Sequence, residues 1–214
     1  MKKYFSLISD LADKYIHPSI TIHKKKKTGF SDRGFSCPSL YYVKKAFIMI
    51  SACFNSFSTY YKSPVLLNKV QQYLNEATKL ADKGSYEPES FCLSIMNVSY
   101  IYRMAKIYTK ILSSCDRYIG NEIQKAALNY LEISRNVVAN LKENTAYKYS
   151  AMLHCAKDLK DDQLKQHAEE IKDKIQEPVL LTNLHIHTLS DIYRETKDKK
   201  YLKAAQNDMV SVLK

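Results

Sequence analysis

Apolar residues recur every three to four positions along most of this 214-residue chain. Tyr4, Ile8, Leu11 and Tyr15 show this spacing near its start. Because an α-helix turns once in about 3.6 residues, side chains at this spacing share one helical face and can pack on a neighbouring helix. The pattern predicts helices at about residues 2–16, 38–58, 63–84, 88–114, 117–141, 144–159, 161–177, 180–195 and 198–214.

Short polar turns separate several of these helices and resemble one another. Three of them lie within residues 60–67, 159–164 and 189–205. Ser and Asp are favoured N-cap residues, and Pro fits the first turn of a helix. Ser63-Pro64, Asp161 or Asp162, and Asp198 therefore mark helix starts. Helices joined by such short turns pack as antiparallel pairs.

No segment alternates apolar and polar residues over a strand length between turn signals, so the sequence predicts essentially no sheet. The expected fold is all-α, an antiparallel αα-hairpin array that forms either an incomplete (α/α) toroid or a curved α-solenoid. The helix pairs differ in length and show no fixed repeat, which disfavours tetratricopeptide and HEAT arrays. The expected organisation is a single helical domain over residues 1–214, with an irregular basic loop at 17–37.

Charge is the strongest compositional signal. The formal net charge is +11, and residues 1–50 hold ten Lys and Arg against three acids. Lys24 to Lys27 form one block. A basic surface attracts nucleic acid, anionic lipid or acidic polysaccharide. A solvated loop, or codon usage that enriches Lys, Tyr, Ile and Asn together, explains the same composition.

The five cysteines are scattered, odd in number and without a CxxC pair, which predicts reduced core residues in a cytosolic setting. The chain begins like a signal peptide, but Asp10 and Asp13 interrupt the apolar run. The longest uncharged run, residues 46–61, is too short to span a bilayer. The expectation is a cytoplasmic protein with no membrane partner.

The hairpin from Tyr193 through Thr196 and Asp198 to Tyr201-Leu202-Lys203-Ala204-Ala205 resembles hairpins of (α/α)-toroid carbohydrate-active proteins. The stretch 144–175 is similar to the toroid part of polysaccharide lyases of the heparinase II/III kind. The family's Asn-His pair is Asn144-Thr145 here, no Trp is present, and the Gly-rich segment between the last two hairpins is absent. The resemblance implies a toroid fold and an acidic polysaccharide as ligand.

Lyases of anionic polysaccharides remove a proton beside a uronate carboxylate, so they need a base and a group that neutralises the carboxylate. The resemblance implies Tyr147 and His154 as catalytic residues and Asn144 as a substrate contact. His154 lies two helical turns after Tyr147, on the same face. The alternative is an ordinary helix cap at Asn144 followed by a buried Tyr and His.

Three further residues are candidate substrate contacts. Tyr41 follows the cation Arg33, and an aromatic ring near a cation suits stacking on a sugar or a base. His185 is a candidate for the concave side of the array. His185 and His187 diverge on a helix, so the pair predicts no metal site. No phosphate loop or catalytic signature is present, and no cofactor is expected.

Three functions stay open at this point. The first is a toroid-like domain that binds, and possibly cleaves, an acidic polysaccharide. The second is a non-enzymatic helical-repeat scaffold for a protein partner, which needs only the helix pairs. The third is a nucleic-acid-binding protein that uses the basic N-terminal segment. Such a protein needs a continuous basic patch, whereas this sequence has one block of lysines and otherwise scattered cations.

Overall fold

A computed structural model describes residues 37–54, 61–81, 88–111, 117–175 and 183–212. For residues 38, 111, 183–187 and 208–212 it describes the backbone alone. The helix predicted at 2–16 and nearly all of the basic loop, including Arg33, lie outside the described residues.

All regular structure in the described ranges is helical, and these ranges contain no strand. The predicted all-α class is therefore confirmed. The helices are α1 (Pro38–Phe54), α2 (Pro64–Ala81), α3 (Pro88–Ile111), α4 (Arg117–Ala139), α5 (Ala146–Leu159), α6 (Asp162–Ile171), α7 (Asn183–Thr196) and α8 (Lys199–Val212). A 3₁₀ turn over Lys172–Lys174 extends α6. The choice between toroid and solenoid stays a prediction.

The chain folds as two compact units, one up to Ile133 and the other from Ser134 onward, so the boundary falls within α4. In unit 1, α1 packs on α2 and α3. In unit 2, α5 packs on α6 and α7, and α7 pairs with α8. The single domain predicted over 1–214 stays a prediction.

The core of unit 1 combines apolar side chains with one buried polar hub at Tyr130. The Tyr130 hydroxyl lies 3.2 Å from Ser39 Oγ and 2.6 Å from Ser94 Oγ. These contacts tie α4 to the first turn of α1 and to α3, and all three residues are buried. A buried hydroxyl is costly unless it is hydrogen-bonded, so the hub fixes how the three helices meet.

The three polar turns that the sequence singled out share one backbone feature. Each contains a lysine in the left-handed region, Lys62 (φ 58°), Lys160 (φ 56°) and Lys197 (φ 60°). At Lys160 this conformation ends α5, and the following Asp161 N–H donates to the Ala156 carbonyl at 2.8 Å. The Asp161 carboxylate then caps α6 by accepting from the Leu164 N–H at 2.9 Å. Lys160 thus ends α5, and Asp161 caps the start of α6.

Four of the cysteines, Cys37, Cys53, Cys92 and Cys155, are buried, and none of these four is in a disulfide. Burial raises the pKa of the Cys53 and Cys155 thiols to about 12 in each case. Thiols with such raised pKa values are poor nucleophiles at neutral pH. The prediction of reduced core cysteines is confirmed for these four, and Cys115 lies outside the described residues.

Candidate functional site

The two residues predicted as catalytic lie on α5 and are sealed in unit 2. Tyr147 is 3% exposed and His154 is 0% exposed. Residues 146–152 are all buried, so α5 runs through the unit with protein on every side along this stretch. Neither side chain is open to a polymer in this structure. Their catalytic role stays a prediction, and it requires a change in conformation.

His154 takes part in a buried polar contact between α5 and α7. Its Nε2 atom lies 3.4 Å from Oδ2 of Asp191, which is 2% exposed. The other carboxylate oxygen of Asp191 pairs with the Arg194 guanidinium. Asp191 therefore joins a buried ring on one side to a partly solvated cation on the other. This arrangement fastens two helices together.

Asn144 holds a buried lysine. Its side-chain oxygen accepts from Lys148 Nζ at 3.2 Å, and the same ammonium donates to the Leu141 carbonyl at 2.7 Å. Lys148 is 4% exposed. A carbonyl group just after the C-terminus of a helix stabilises a buried cation such as the Lys148 ammonium. The N-cap of α5 is Thr145, whose hydroxyl accepts from the Lys148 N–H at 3.2 Å.

Sequence reasoning passed over the polar network around Tyr149. The Tyr149 hydroxyl donates to Glu169 Oε1 at 3.1 Å, and its ring lies 6.0 Å from that of Tyr201 on α8. Lys172 Nζ approaches Glu169 and also Asp198, at 3.8 and 3.4 Å. The network links α5, α6 and α8. No sequence signal marks it, because its members are 20 residues or more from Tyr149.

Burial and nearby carboxylates keep these two phenols protonated. Desolvation, followed by the charge of Glu169, raises the pKa of Tyr149 well above its usual range. Desolvation, followed by the charge of Asp198, raises the pKa of Tyr201 to about 12. Both phenols therefore stay protonated at neutral pH, and Tyr149 donates its proton in the hydrogen bond to Glu169.

We expect alkaline conditions to destabilise the chain through Tyr149. In the unfolded chain a Tyr loses its proton near pH 10. Because the pKa in the folded state is higher, stability is complete below about pH 10 and falls above it, by at most about 1.4 kcal/mol per pH unit for one group. Tyr149→Phe should make the slope of unfolding free energy against pH between 10 and 11 less negative, as measured by urea denaturation. The exposed Tyr118→Phe is the matched control, and an equal change in both variants would contradict the assignment.

Tyr41, the predicted stacking residue, lies on α1 in unit 1, whereas Asn144, Tyr147 and His154 lie in unit 2. The Lys45 ammonium lies 4.5 Å from the Tyr41 ring centroid and 5.5 Å from that of Tyr73. Lys45 is 6% exposed. One face of the Tyr41 ring therefore meets a cation of the protein itself. Its role in substrate contact stays a prediction.

Arg33 and His185 are the remaining candidate substrate contacts. Arg33 lies outside the described residues, and the side chains of His185 and His187 are not described. Their backbone lies in α7, as the sequence predicts. Within the described ranges, no group of three His, Cys, Asp or Glu side chains is arranged to hold a metal ion.

A polar depression of about 410 Å³ lies between α2 and α4 in unit 1. Its lining residues are Gln72, Asn75, Glu76, Thr78, Lys79 and Asn129. The Lys79 ammonium pairs with Glu76 at 2.6 Å, so the charges that line it are already matched. Small-molecule sites are mostly lined by hydrophobic and aromatic side chains with a few directed polar groups, whereas no aliphatic or aromatic residue lines this depression.

Exposed apolar side chains form a different candidate site, which sequence reasoning missed. Tyr61, Val65, Ile107 and Tyr118 are 41, 59, 55 and 70% exposed. They belong to four different segments: the turn before α2, the start of α2, the end of α3 and the start of α4. The periodic pattern marks residues for burial, so it gives no signal for these four.

Hydrogen bonds and a ring contact place these segments at one end of unit 1. The Lys62 N–H donates to the Cys53 carbonyl at 3.2 Å, which sets the start of α2 beside the end of α1. The rings of Phe54 and Tyr108 lie 4.9 Å apart, which brings the end of α3 to the same level. Gln124 Nε2 donates to Thr109 Oγ1 at 2.8 Å and brings α4 there as well. We call this end of unit 1, where Tyr61, Val65, Ile107 and Tyr118 are exposed on different segments, the apolar end.

No helix in the described part of the chain is both long and apolar enough to cross a bilayer. Comparisons of the chain with protein-family models, with curated proteins and with solved structures found no match. The resemblance to toroid lyases therefore stays a prediction from the residues quoted above.

Proposed function

We propose that this chain is a non-enzymatic helical scaffold that binds a protein partner through the apolar end of unit 1. The observation that carries the proposal is the exposure of Tyr61, Val65, Ile107 and Tyr118 at one end of the unit. Single exposed apolar residues are ordinary, but four large ones around one end of a helix bundle offer apolar area to a partner.

The kinds of side chain at the apolar end favour a protein as the partner. Tyr is enriched at protein interfaces because its ring supplies contact area and its hydroxyl supplies a hydrogen bond. Val65 and Ile107 offer only methyl groups, and these gain most from contact with other apolar side chains. Tyr61 and Tyr118 are the expected anchors of the interface.

The polysaccharide hypothesis draws on the resemblance and on the net charge of +11. Cleavage would require Tyr147 and His154 to reach the polymer, and both side chains are buried. The scaffold needs no such rearrangement, and we favour it for that reason. Absorbance of an unsaturated uronate product, followed with heparin, chondroitin sulfate and pectin, separates the two functions. A product that forms in proportion to the amount of protein would contradict the scaffold.

Site-directed photo-crosslinking tests the scaffold directly. We expect a chain with p-benzoylphenylalanine at Tyr118 to give a discrete crosslinked product in a lysate of its own cells. The matched control carries the same group at Lys165, an exposed position in unit 2. The product from position 118 should be sensitive to protease, and Val65→Ser with Ile107→Ser should reduce it.

Other outcomes of the crosslinking would contradict the proposal. These are a product sensitive only to nuclease or to a polysaccharide hydrolase, or equal products from both positions. The variant positions are exposed, so Val65→Ser and Ile107→Ser should each change the free energy of unfolding by less than about 0.5 kcal/mol. Thermal unfolding of the variants checks that loss of the product is not loss of the fold.

A further inference from the structure

Three side-chain amides line the polar depression between α2 and α4. They belong to Gln72 and Asn75 on α2 and to Asn129 on α4, and all three residues are exposed. Within the described part of the chain, none of these three amides forms a hydrogen bond. The neighbouring Gln71 amide, by contrast, donates to Glu122 Oε2 at 3.5 Å and joins the two helices. The depression therefore presents three amides whose donors and acceptors are available to a ligand.

The charges in and beside the depression are paired within their own helices. Lys79 pairs with Glu76 at 2.6 Å, and Lys125 pairs with Glu122 at 2.7 Å. Glu132 is exposed on α4 but does not line the depression. A nucleic acid or an acidic polymer is attracted by cations without a matching carboxylate, and the lining offers none. The lining suits a ligand that is neutral and rich in hydrogen-bonding groups.

A side-chain amide is complementary to the peptide unit of another chain. It presents an N–H donor group beside a carbonyl acceptor, and a peptide unit presents a C=O and an N–H. In a helix, these main-chain groups are already bonded to one another. An extended segment keeps them free for a partner. Unpaired amides therefore favour an extended main chain over a helix as the ligand.

The face of α4 that carries Asn129 also carries Tyr118, an expected anchor of the partner. Tyr118, Glu122, Lys125 and Asn129 follow one another at helical spacing and so lie on one face. Tyr118 and Asn129 are about three turns apart, a distance of about 16 Å along the helix. An extended chain covers that distance in about five residues. One short segment can thus reach from the depression to the tyrosine.

We propose that the depression between α2 and α4 holds an extended segment of the protein partner by its main chain. This inference rests on the proposed function and specifies the conformation of the partner's segment. The amides of Gln72, Asn75 and Asn129 would pair with main-chain N–H and C=O groups, and the segment would continue along α4 towards Tyr118. Main-chain hydrogen bonds of this kind supply affinity, while side chains of the segment supply specificity.

The lining favours a polypeptide over a carbohydrate. The hydroxyl groups of a sugar could use the same amides. An aromatic ring offers the apolar face on which a pyranose packs, and no aromatic residue lines this depression. Binding of a sugar at these amides is therefore an outcome that would contradict the inference.

Nuclear magnetic resonance tests the inference with two capped pentapeptides. One is N-acetyl-Ser-Ala-Ser-Ala-Ser-amide, which is too short to form a stable helix, and the other has methyl groups on its Ala nitrogens. We expect the first peptide to shift the side-chain NH₂ signals of Gln72, Asn75 and Asn129, and the methylated peptide to bind at least about tenfold more weakly. Asn75→Leu with Asn129→Leu should weaken the first peptide by about tenfold or more. Asn121→Leu with Asn136→Leu is the control outside the depression and should leave binding unchanged. The spectrum of each variant shows whether its fold is kept.

The outcomes separate this inference from the proposed function. No shift of the three amide signals up to about 10 mM peptide would overturn the main-chain contact. Equal affinity for the methylated peptide would overturn it too, as would larger shifts with maltose than with the peptide. None of these results alters the crosslink from position 118, which tests the proposed function by itself. Failure of that crosslink, with the amide shifts observed, would overturn the proposed function and not the main-chain contact.

Discussion

Asp191→Ala is expected to lower the free energy of unfolding by about 1 to 3 kcal/mol, because it removes a buried carboxylate that lies beside the buried His154 ring and pairs with Arg194. Asp191 is 2% exposed, and its carboxylate faces the fully buried His154 ring at 3.4 Å. Without the carboxylate, that ring keeps its desolvation cost and loses its neighbour. Urea denaturation of the variant beside the parent chain measures the effect.

Arg194→Ala is the matched control for Asp191→Ala. Arg194 pairs with the other oxygen of Asp191, but its side chain is 57% exposed. Because Arg194 is 57% exposed, water can take the place of its guanidinium beside Asp191, and we expect Arg194→Ala to cost less than Asp191→Ala. Equal losses in the two variants would show that the contact between His154 and Asp191 contributes nothing of its own. A loss in Asp191→Ala below about 1 kcal/mol would contradict the buried contact as a fastening between α5 and α7.

The effect also bears on the predicted catalytic role of His154. If the contact with Asp191 holds α5 on α7, replacement of His154 lowers stability. Loss of activity in such a variant then has two explanations. Activity assays on His154 variants need the unfolding curve measured under the same conditions. Tyr147 calls for the same care because it is also buried.

Helix positions were largely readable from the sequence because each depends on local signals. Pro64 and Pro88 begin helices, and the Asp161 carboxylate caps one. Each signal acts within about one turn of its own residue, so a single chain segment suffices to read it. The left-handed lysines were less accessible, because Gly or Asn usually takes that conformation.

The environment of each side chain was harder to read. The spacing of Tyr147 and His154 does put them on one face of α5, but that helix is buried on nearly all sides over 146–152. Small residues such as Ala146, Ser150 and Ala151 let neighbouring helices approach closely, and periodicity alone does not show this. Asp191, which faces His154, is 37 positions away in sequence. Only the packing of α5 on α7 brings them together.

Sequence periodicity also does not reveal which apolar residues are exposed at the apolar end. Ile107 fits a helical pattern as well as a buried isoleucine does, yet its side chain is 55% exposed. Tyr61, Val65 and Tyr118 come from separate segments that reach one end of unit 1 only after the helices pack. A surface built from helix ends has no period in the sequence. Such a site is found from exposure and contacts.

Gly120→Ala is expected to destabilise unit 1 although Ala favours helices. A Cβ at position 120 would lie 2.4 Å from Thr109 Oγ1, far closer than van der Waals contact allows. That oxygen donates to the Ala105 carbonyl at 2.7 Å and accepts from Gln124 at 2.8 Å, so it is held in place. Ala over Gly contributes about 1 kcal/mol to a helix, whereas overpacking costs about 1 to 3 kcal/mol. We expect a net loss of about 1 kcal/mol in urea denaturation.

A double-mutant cycle with Thr109 identifies the cause of that loss. Thr109→Ala removes the obstructing oxygen, and the Thr109 Cβ would then lie at 3.4 Å. Gly120→Ala should therefore cost less in the Thr109→Ala background, by about 1 kcal/mol or more. Thr109→Ser keeps the oxygen and should give no such relief. A gain in stability from Gly120→Ala alone would mean that α3 and α4 do not approach closely there.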